Sequence, residues 1–85
     1  MSGTMRLCTQ NDDLMTIDKE EECKLATEKL EKEYVNTRSK KGFPKGCYFL
    51  HHNQKSYFNT HQTGSKSEQA EQICKLQGNN YIFTF

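Results

Sequence analysis

Cys47-Tyr48-Phe49-Leu50-His51-His52-Asn53-Gln54-Lys55-Ser56-Tyr57-Phe58-Asn59 holds two short aromatic-rich runs around five polar residues. Runs of this kind, joined by about five residues, read as a β-hairpin. Alternate residues of a strand face opposite ways. Cys47 and Phe49 therefore share one face, and Tyr48 and Leu50 share the other. Ile73-Cys74-Lys75-Leu76 reads as a third strand. Tyr81-Ile82-Phe83-Thr84-Phe85 follows the turn signal Gly78-Asn79-Asn80 and is a strand by propensity. It has no charge and no proline, so it must pair within the fold or with a partner, and self-association through Tyr81–Phe85 is one outcome.

Upstream of the hairpin the period changes. Asp18 stands where an N-cap belongs, with Glu21 three residues on, which is the Asp form of a capping box. Glu20, Glu21 and Glu22 crowd the first turn, where negative charge meets the positive end of the helix dipole. Glu20 with Lys24, and Glu28 with Lys32, are favourable pairs four residues apart. Cys23, Ala26, Leu30 and Tyr34 recur at spacings of three and four and share one face. The pattern predicts a helix over Lys19–Tyr34. Asn36–Gly46 reads as a basic linker, because Gly42, Pro44 and Gly46 forbid helix and favour turns. His61–Gln72 reads as a loop with a helical turn at Ser67–Glu71. The expected fold class is α+β, with one amphipathic helix packed on a small antiparallel sheet of three to four strands and stapled by two disulfides. The chain divides into a polar lead-in over 1–16, a core over 17–76 and a C-terminal strand over 77–85, all in one domain.

Composition explains why staples are needed. Of the 85 residues, 33% are hydrophobic and 27% charged, and the mean hydropathy is −0.97. A chain this short and polar has little core to rely on. Nine aromatics and four cysteines keep it on the folded side of the disorder boundary. The net charge of +1 supplies no global field toward nucleic acid or an anionic membrane, which argues against a nucleic-acid partner. No apolar run approaches the ~20 residues of a membrane-spanning helix. Met1–Gln10 holds no apolar stretch of signal-peptide length, so either the chain works inside a cell or the sequence starts at a mature secreted module. Cys8, Cys23, Cys47 and Cys74 are even in number and none lies in a CxxC pair. Zinc knuckles and redox sites use such pairs, whereas widely spaced cysteines on separate elements read as crosslinks.

Four pieces of the chain also form a pattern. They are ECKLATEKL at 22–30, FPKGCYF at 43–49, YFNTHQTGS at 57–65 and ICK at 73–75. This order resembles a short module of extracellular proteins of algae, marine invertebrates and fish, and of large viruses of algae and protists. There a cysteine opens a helix, a Pro-x-Gly-Cys-Tyr strand and a Phe-Asn strand follow, and Ile-Cys-Lys closes the unit. The matching residues are Cys23, Ala26, Pro44, Gly46, Cys47, Tyr48, Phe58, Asn59, Ile73, Cys74 and Lys75, with Cys8 as the earlier cysteine. The resemblance implies a fold and a crosslinking pattern and no activity. The lysine- and glutamate-rich helix departs from the module, where small residues are usual. Four cysteines permit three pairings. The favoured one joins Cys23 on the helix to Cys47 at the hairpin, and Cys8 to Cys74. Buried free thiols are the alternative.

No catalytic pattern stands out. His51, His52 and His61 with a cysteine would be the one imaginable metal set, but adjacent histidines in a strand point apart and in a turn are simply polar. Cys47 beside a histidine is the only thiol–base pair, and a Gly-Cys-Tyr strand start is no nucleophile elbow. No phosphate loop or cofactor motif is present. The basic stretch Arg38, Lys40, Lys41, Phe43 and Lys45, with His52 and Lys55 of the hairpin tip, is the candidate contact surface for an anionic partner. The bland reading of the same stretch is a solvated loop that balances the acidic helix. The expected function is a non-enzymatic, disulfide-stabilised recognition or structural module, secreted or virion-associated, that binds a protein or glycan. The alternative is an intracellular adaptor with reduced thiols that pairs through its C-terminal strand. A small thiol- or metal-dependent enzyme ranks last.

Overall fold

The computed structural model describes residues 8, 13–65, 67–76 and 80–83. In chain order the elements are β1 (Met15–Thr16), α1 (Glu20–Lys29), β2 (Glu33–Arg38), β3 (Pro44–Leu50), β4 (Lys55–Gly64), β5 (Ala70–Lys75) and β6 (Tyr81–Phe83). One helix lies on a mixed sheet ordered β1-β5-β3-β4-β2, with β6 also pairing β5. The hairpin is the centre of this sheet. Cys47 pairs Phe58, Tyr48 pairs Tyr57 and Leu50 pairs Lys55. On the other side of β3, Tyr48 pairs Gln72 and Leu50 pairs Ala70. β5 then serves a second set of neighbours. Cys74 and Lys75 pair Thr16 and Met15 of β1, and Ile73–Lys75 pair Phe83–Tyr81 of β6. β1 and β6 share partners on β5, so they lie along its opposite edges. Tyr81–Phe83 thus pairs within the fold, and Thr84 and Phe85 lie outside the described residues.

The α+β plan of one helix on a disulfide-closed sheet is what the chain adopts, but the sheet is larger than the sequence suggests. The missed element is β2. Its register with β4 is parallel, with an irregularity between Tyr34 and Asn36. This strand occupies Asn36–Arg38, which reads as linker, and Tyr34, which reads as the last helical residue. An edge strand exposed along most of its length has no apolar alternation to reveal it. The expected helical turn at Ser67–Glu71 is also absent, since Ala70 and Glu71 already belong to β5.

The helix stops at Lys29 because the chain turns left-handed at Glu31, where φ is 60°. The Glu31 N–H bonds to the Glu28 carbonyl at 3.1 Å, and the Lys32 N–H bonds to the Thr27 carbonyl at 2.8 Å. That is a Schellman ending with glutamate where glycine is usual. At the other end the N-cap is Lys19, which makes no side-chain cap bond, so Asp18 does not close a capping box. The register is set instead by Ile17, which is fully buried against the sheet. Glu20 accepts hydrogen bonds from Thr37 at 2.5 Å and Tyr34 at 3.2 Å. Glu22 accepts from Tyr81 at 3.1 Å and pairs with Lys75 at 2.9 Å. These bonds, led by the one from Lys75, hold the Glu22 carboxyl below its ordinary pKa.

The two faces divide as the hairpin pattern predicts. Ile17, Cys23, Ala26, Cys47, Phe49, Phe58, Ile73 and Tyr81 form the core beneath the helix. Tyr48, Leu50, Tyr57 and Ala70 cluster on the reverse face, with Phe43 laid against them. The disulfides follow the same division. Cys23–Cys47, with Cα atoms 5.2 Å apart, fastens the helix to the inner face. Cys8–Cys74, at 5.6 Å, lies on the reverse face, because Cys74 is two residues from Gln72 and Gln72 pairs Tyr48. Gln72 also accepts a hydrogen bond from the Cys8 N–H at 2.6 Å. All four cysteines are fully buried.

The closed loops span sequence separations of 24 and 66 residues. Chain entropy then gives about 3 kcal/mol for the first bond and about 4 kcal/mol for the second. Replacing Cys23 and Cys47 by serine should lower unfolding free energy in urea by about 3 kcal/mol, and the Cys8/Cys74 double replacement by about 4 kcal/mol. Melts that overlay the parent's would show that the crosslinks do not hold the fold. A second substitution acts the other way. Glu31→Gly removes the left-handed penalty at an exposed site and should raise stability by about 0.5–1 kcal/mol, read as an upward shift in Tm.

Candidate functional site

β4 lies between β2 and β3 in the sheet, yet β2 and β3 are consecutive in the chain. The five residues that join them, Ser39-Lys40-Lys41-Gly42-Phe43, must therefore arch over β4. Asn59 sits at the middle of that arch, since it pairs with Arg38 on one side and Gly46 on the other. Its side chain fills the span. The amide N–H groups donate to the carbonyls of Lys40 at 2.7 Å, Phe43 at 3.0 Å and Pro44 at 2.9 Å. The amide oxygen accepts the N–H of Lys40 at 2.8 Å and of His61 at 3.1 Å. Asn59 is only 1% exposed, so these bonds are made away from water, where an unmade one costs most. The far end of β4 closes on the same arch. Ser65 donates from its N–H to the Phe43 carbonyl at 2.9 Å and from its hydroxyl to the Lys41 carbonyl at 2.8 Å. Gly64 permits this approach, because a Cβ there would stand 2.5 Å from the Lys45 nitrogen.

The loop is thus rigid, and its charges point outward. Lys40, Lys41 and Lys45 are exposed and have no ion pair or ring partner among the described residues. The other described cations, Lys19 apart, are engaged. Lys24 lies over the Tyr34 ring, Lys29 over Tyr81, and Lys32 over Phe49 and Phe83. Lys75 pairs with Glu22, and Lys55 lies 3.7 Å from Glu33. Arg38, expected as a contact residue, lays its guanidinium 4.1 Å from the Tyr57 ring centre. Tyr57 stacks on Tyr48 at 5.5 Å and Tyr48 on Phe43 at 5.3 Å. The four side chains form a ladder that carries the loop on the reverse face. Tyr48 is fully buried, and burial pushes its phenol above the ordinary value while the Arg38 charge opposes the rise.

The structure does not bring the whole set of predicted contact residues together. Lys40 and Lys41 share the arch with Phe43, whose ring is turned in, and Lys45 follows at the start of β3. His52 and Lys55 flank the hairpin tip at the opposite end of β3, roughly 20 Å away for a strand of that length. The other two histidines are engaged locally. His51 Nε2 lies 2.9 Å from the Glu71 carboxylate. His61 Nδ1 accepts the N–H groups of Thr63 at 3.2 Å and Gly64 at 3.0 Å, which shapes the end of β4. Among the described residues no group of three or more His, Cys, Asp or Glu is placed to hold a metal ion.

Sequence reasoning missed Asn59 as the organiser of the loop. It reads as one more strand residue, and only the crossing of β4 reveals its part. A second missed feature is a cleft of about 180 Å³ on the helix side of the sheet, where the arch runs into β3, lined by Ile17, Asp18, Lys45, Gly46, Phe58, Asn59 and Thr60. Comparison with known proteins adds no family: no family model, curated protein or solved structure matches the chain.

Asn59→Ala leaves the Lys40 amide and several loop carbonyls without partners. It should cost about 2–3 kcal/mol and speed hydrogen exchange at Lys40 beyond what the loss of global stability explains. Exchange at Lys40 that tracks global unfolding alone would show that Asn59 does not hold the loop.

Proposed function

We propose that the protein is a non-enzymatic recognition module, stabilised by two disulfides, that docks on an anionic patch of a protein or glycan through the arch Lys40–Lys45. The observation that carries this reading is the contrast between that arch and the rest of the charged surface. Among the described residues, three ammonium groups on a backbone pinned from beneath have no ion pair or ring partner, while the other described lysines, Lys19 apart, face rings or carboxylates. A loop held in one conformation loses little entropy when it binds. Point charges in solvent add modest energy each, so such a site works by several contacts together and weakens in salt. Because the net charge is only +1, the attraction is local.

The buried disulfides support an oxidising compartment, and no described helix is long and apolar enough to cross a membrane. The likeness of the cysteine framework to modules of extracellular proteins and large viruses supports a secreted or virion-borne domain.

The test compares two variants with the same charge loss on columns of immobilised dextran sulfate and polyglutamate. The Lys40→Gln/Lys41→Gln/Lys45→Gln protein should elute at clearly lower salt than the parent. The Lys24→Gln/Lys29→Gln/Lys32→Gln protein should elute close to it. Equal loss in both variants, or no retention of the parent, overturns the reading.

A further inference from the structure

The cleft where the arch runs into β3 has a floor and a rim of different chemistry. Ile17, Gly46 and Phe58 are buried and make an apolar floor. The Asn59 amide is already committed to the loop through both its nitrogen and its oxygen. Recognition at this place therefore falls to three exposed rim residues, Asp18, Lys45 and Thr60. The Thr60 hydroxyl donates to the Arg38 carbonyl at 3.2 Å, which leaves its oxygen free to accept. Among the described residues the Asp18 carboxylate accepts no hydrogen bond, and beyond its electrostatic attraction to Lys75 it is open to a donor.

We infer that this cleft seats one ring of an acidic saccharide, with ring hydroxyls donating to Asp18 and Thr60 and the sulfate or carboxylate of the sugar on Lys45. The inference rests on the anionic-partner reading and narrows it to one ligand class. A sugar ring offers an apolar C–H face to the floor and a belt of hydroxyl donors to the rim, and a volume of about 180 Å³ holds little more than a single ring. Asp18 decides between ligand classes. At the cleft a bare polyanion is attracted by Lys45 and repelled by Asp18. A ligand that carries both an anionic group and hydroxyl donors satisfies both signs of charge at once.

That difference gives a test of opposite sign. The full-length ¹⁵N-labelled protein is titrated with a chondroitin sulfate tetrasaccharide, and affinity is measured by calorimetry. Amide shifts should move at Gly46, Phe58 and Thr60 as well as on the arch. Asp18→Asn should weaken binding roughly tenfold, because a charged acceptor is lost. Its Tm, unchanged from the parent, verifies that the variant folds. If Asp18→Asn instead tightens binding, only net charge matters and the cleft proposal fails while the anionic reading stands. If the tetrasaccharide moves the arch but not the cleft, the cleft proposal likewise fails. If a polyglutamate peptide binds and the tetrasaccharide does not, the ligand class is wrong and the arch reading survives. If neither binds, both readings fail together.

Discussion

Two strands that are neighbours in the chain are kept apart in the sheet by a third. β4 separates β2 from β3, and the five residues between them must cross it. A bare crossing would leave backbone groups unpaired over a strand, a cost that a short polar chain cannot absorb. Asn59 removes it by offering donors and an acceptor in the one place where both ends of the crossing are within reach. The position of the loop over β4 depends on that side chain. The same crossing makes β2 parallel to β4, so the mixed character of the sheet has the same origin as the candidate site.

The disulfides work on this frame from both sides. Cys47 is next to Gly46, and their partners Phe58 and Asn59 are adjacent on β4. The bond from Cys47 to Cys23 therefore fixes the helix to the strand into which the arch leads. Gly46 has φ at +80° and backs directly onto the Ile17 carbonyl, so the chain entering the helix touches the same point. Cys8–Cys74 restrains the reverse face, where the ladder Phe43–Tyr48–Tyr57–Arg38 lies. With no more than a helix and a curled sheet to share between two clusters, neither apolar face is large. Each crosslink compensates for the thin layer on its own side.

What could be read from the sequence follows from how locally each feature is encoded. The hairpin is local: alternation fixed the opposite aims of Phe49 and Tyr48, and the structure keeps them. The cysteine pairing was legible because each cysteine lies on a different element. The end of the helix was not. Its pattern continues through Tyr34, and the left-handed turn falls on Glu31, a residue with no preference for that conformation. Tyr34 faces the core in either reading, since it packs against the same cluster from β2. Periodicity alone therefore could not separate a last helical turn from a strand. The basic charge of the loop was plain in the sequence. Its rigidity was not, because the residue that supplies it lies about twenty positions downstream and acts through a strand crossing.

This also separates the two kinds of charge on the surface. Lys24 and Lys29 of the helix, and Lys32 just past its end, lie above the rings of Tyr34, Tyr81, Phe49 and Phe83, where their stems cover apolar surface and their charge meets a ring face. They help close a core that is short of hydrophobic residues. The lysines of the arch have no such use, because Phe43 already covers the ring of Tyr48 beneath them. An arch fixed by a buried amide, leading into a strand crosslinked at Cys47, presents those cations in one arrangement. In so small a domain, the buried amide that the crossing needs for folding also sets how those cations are presented.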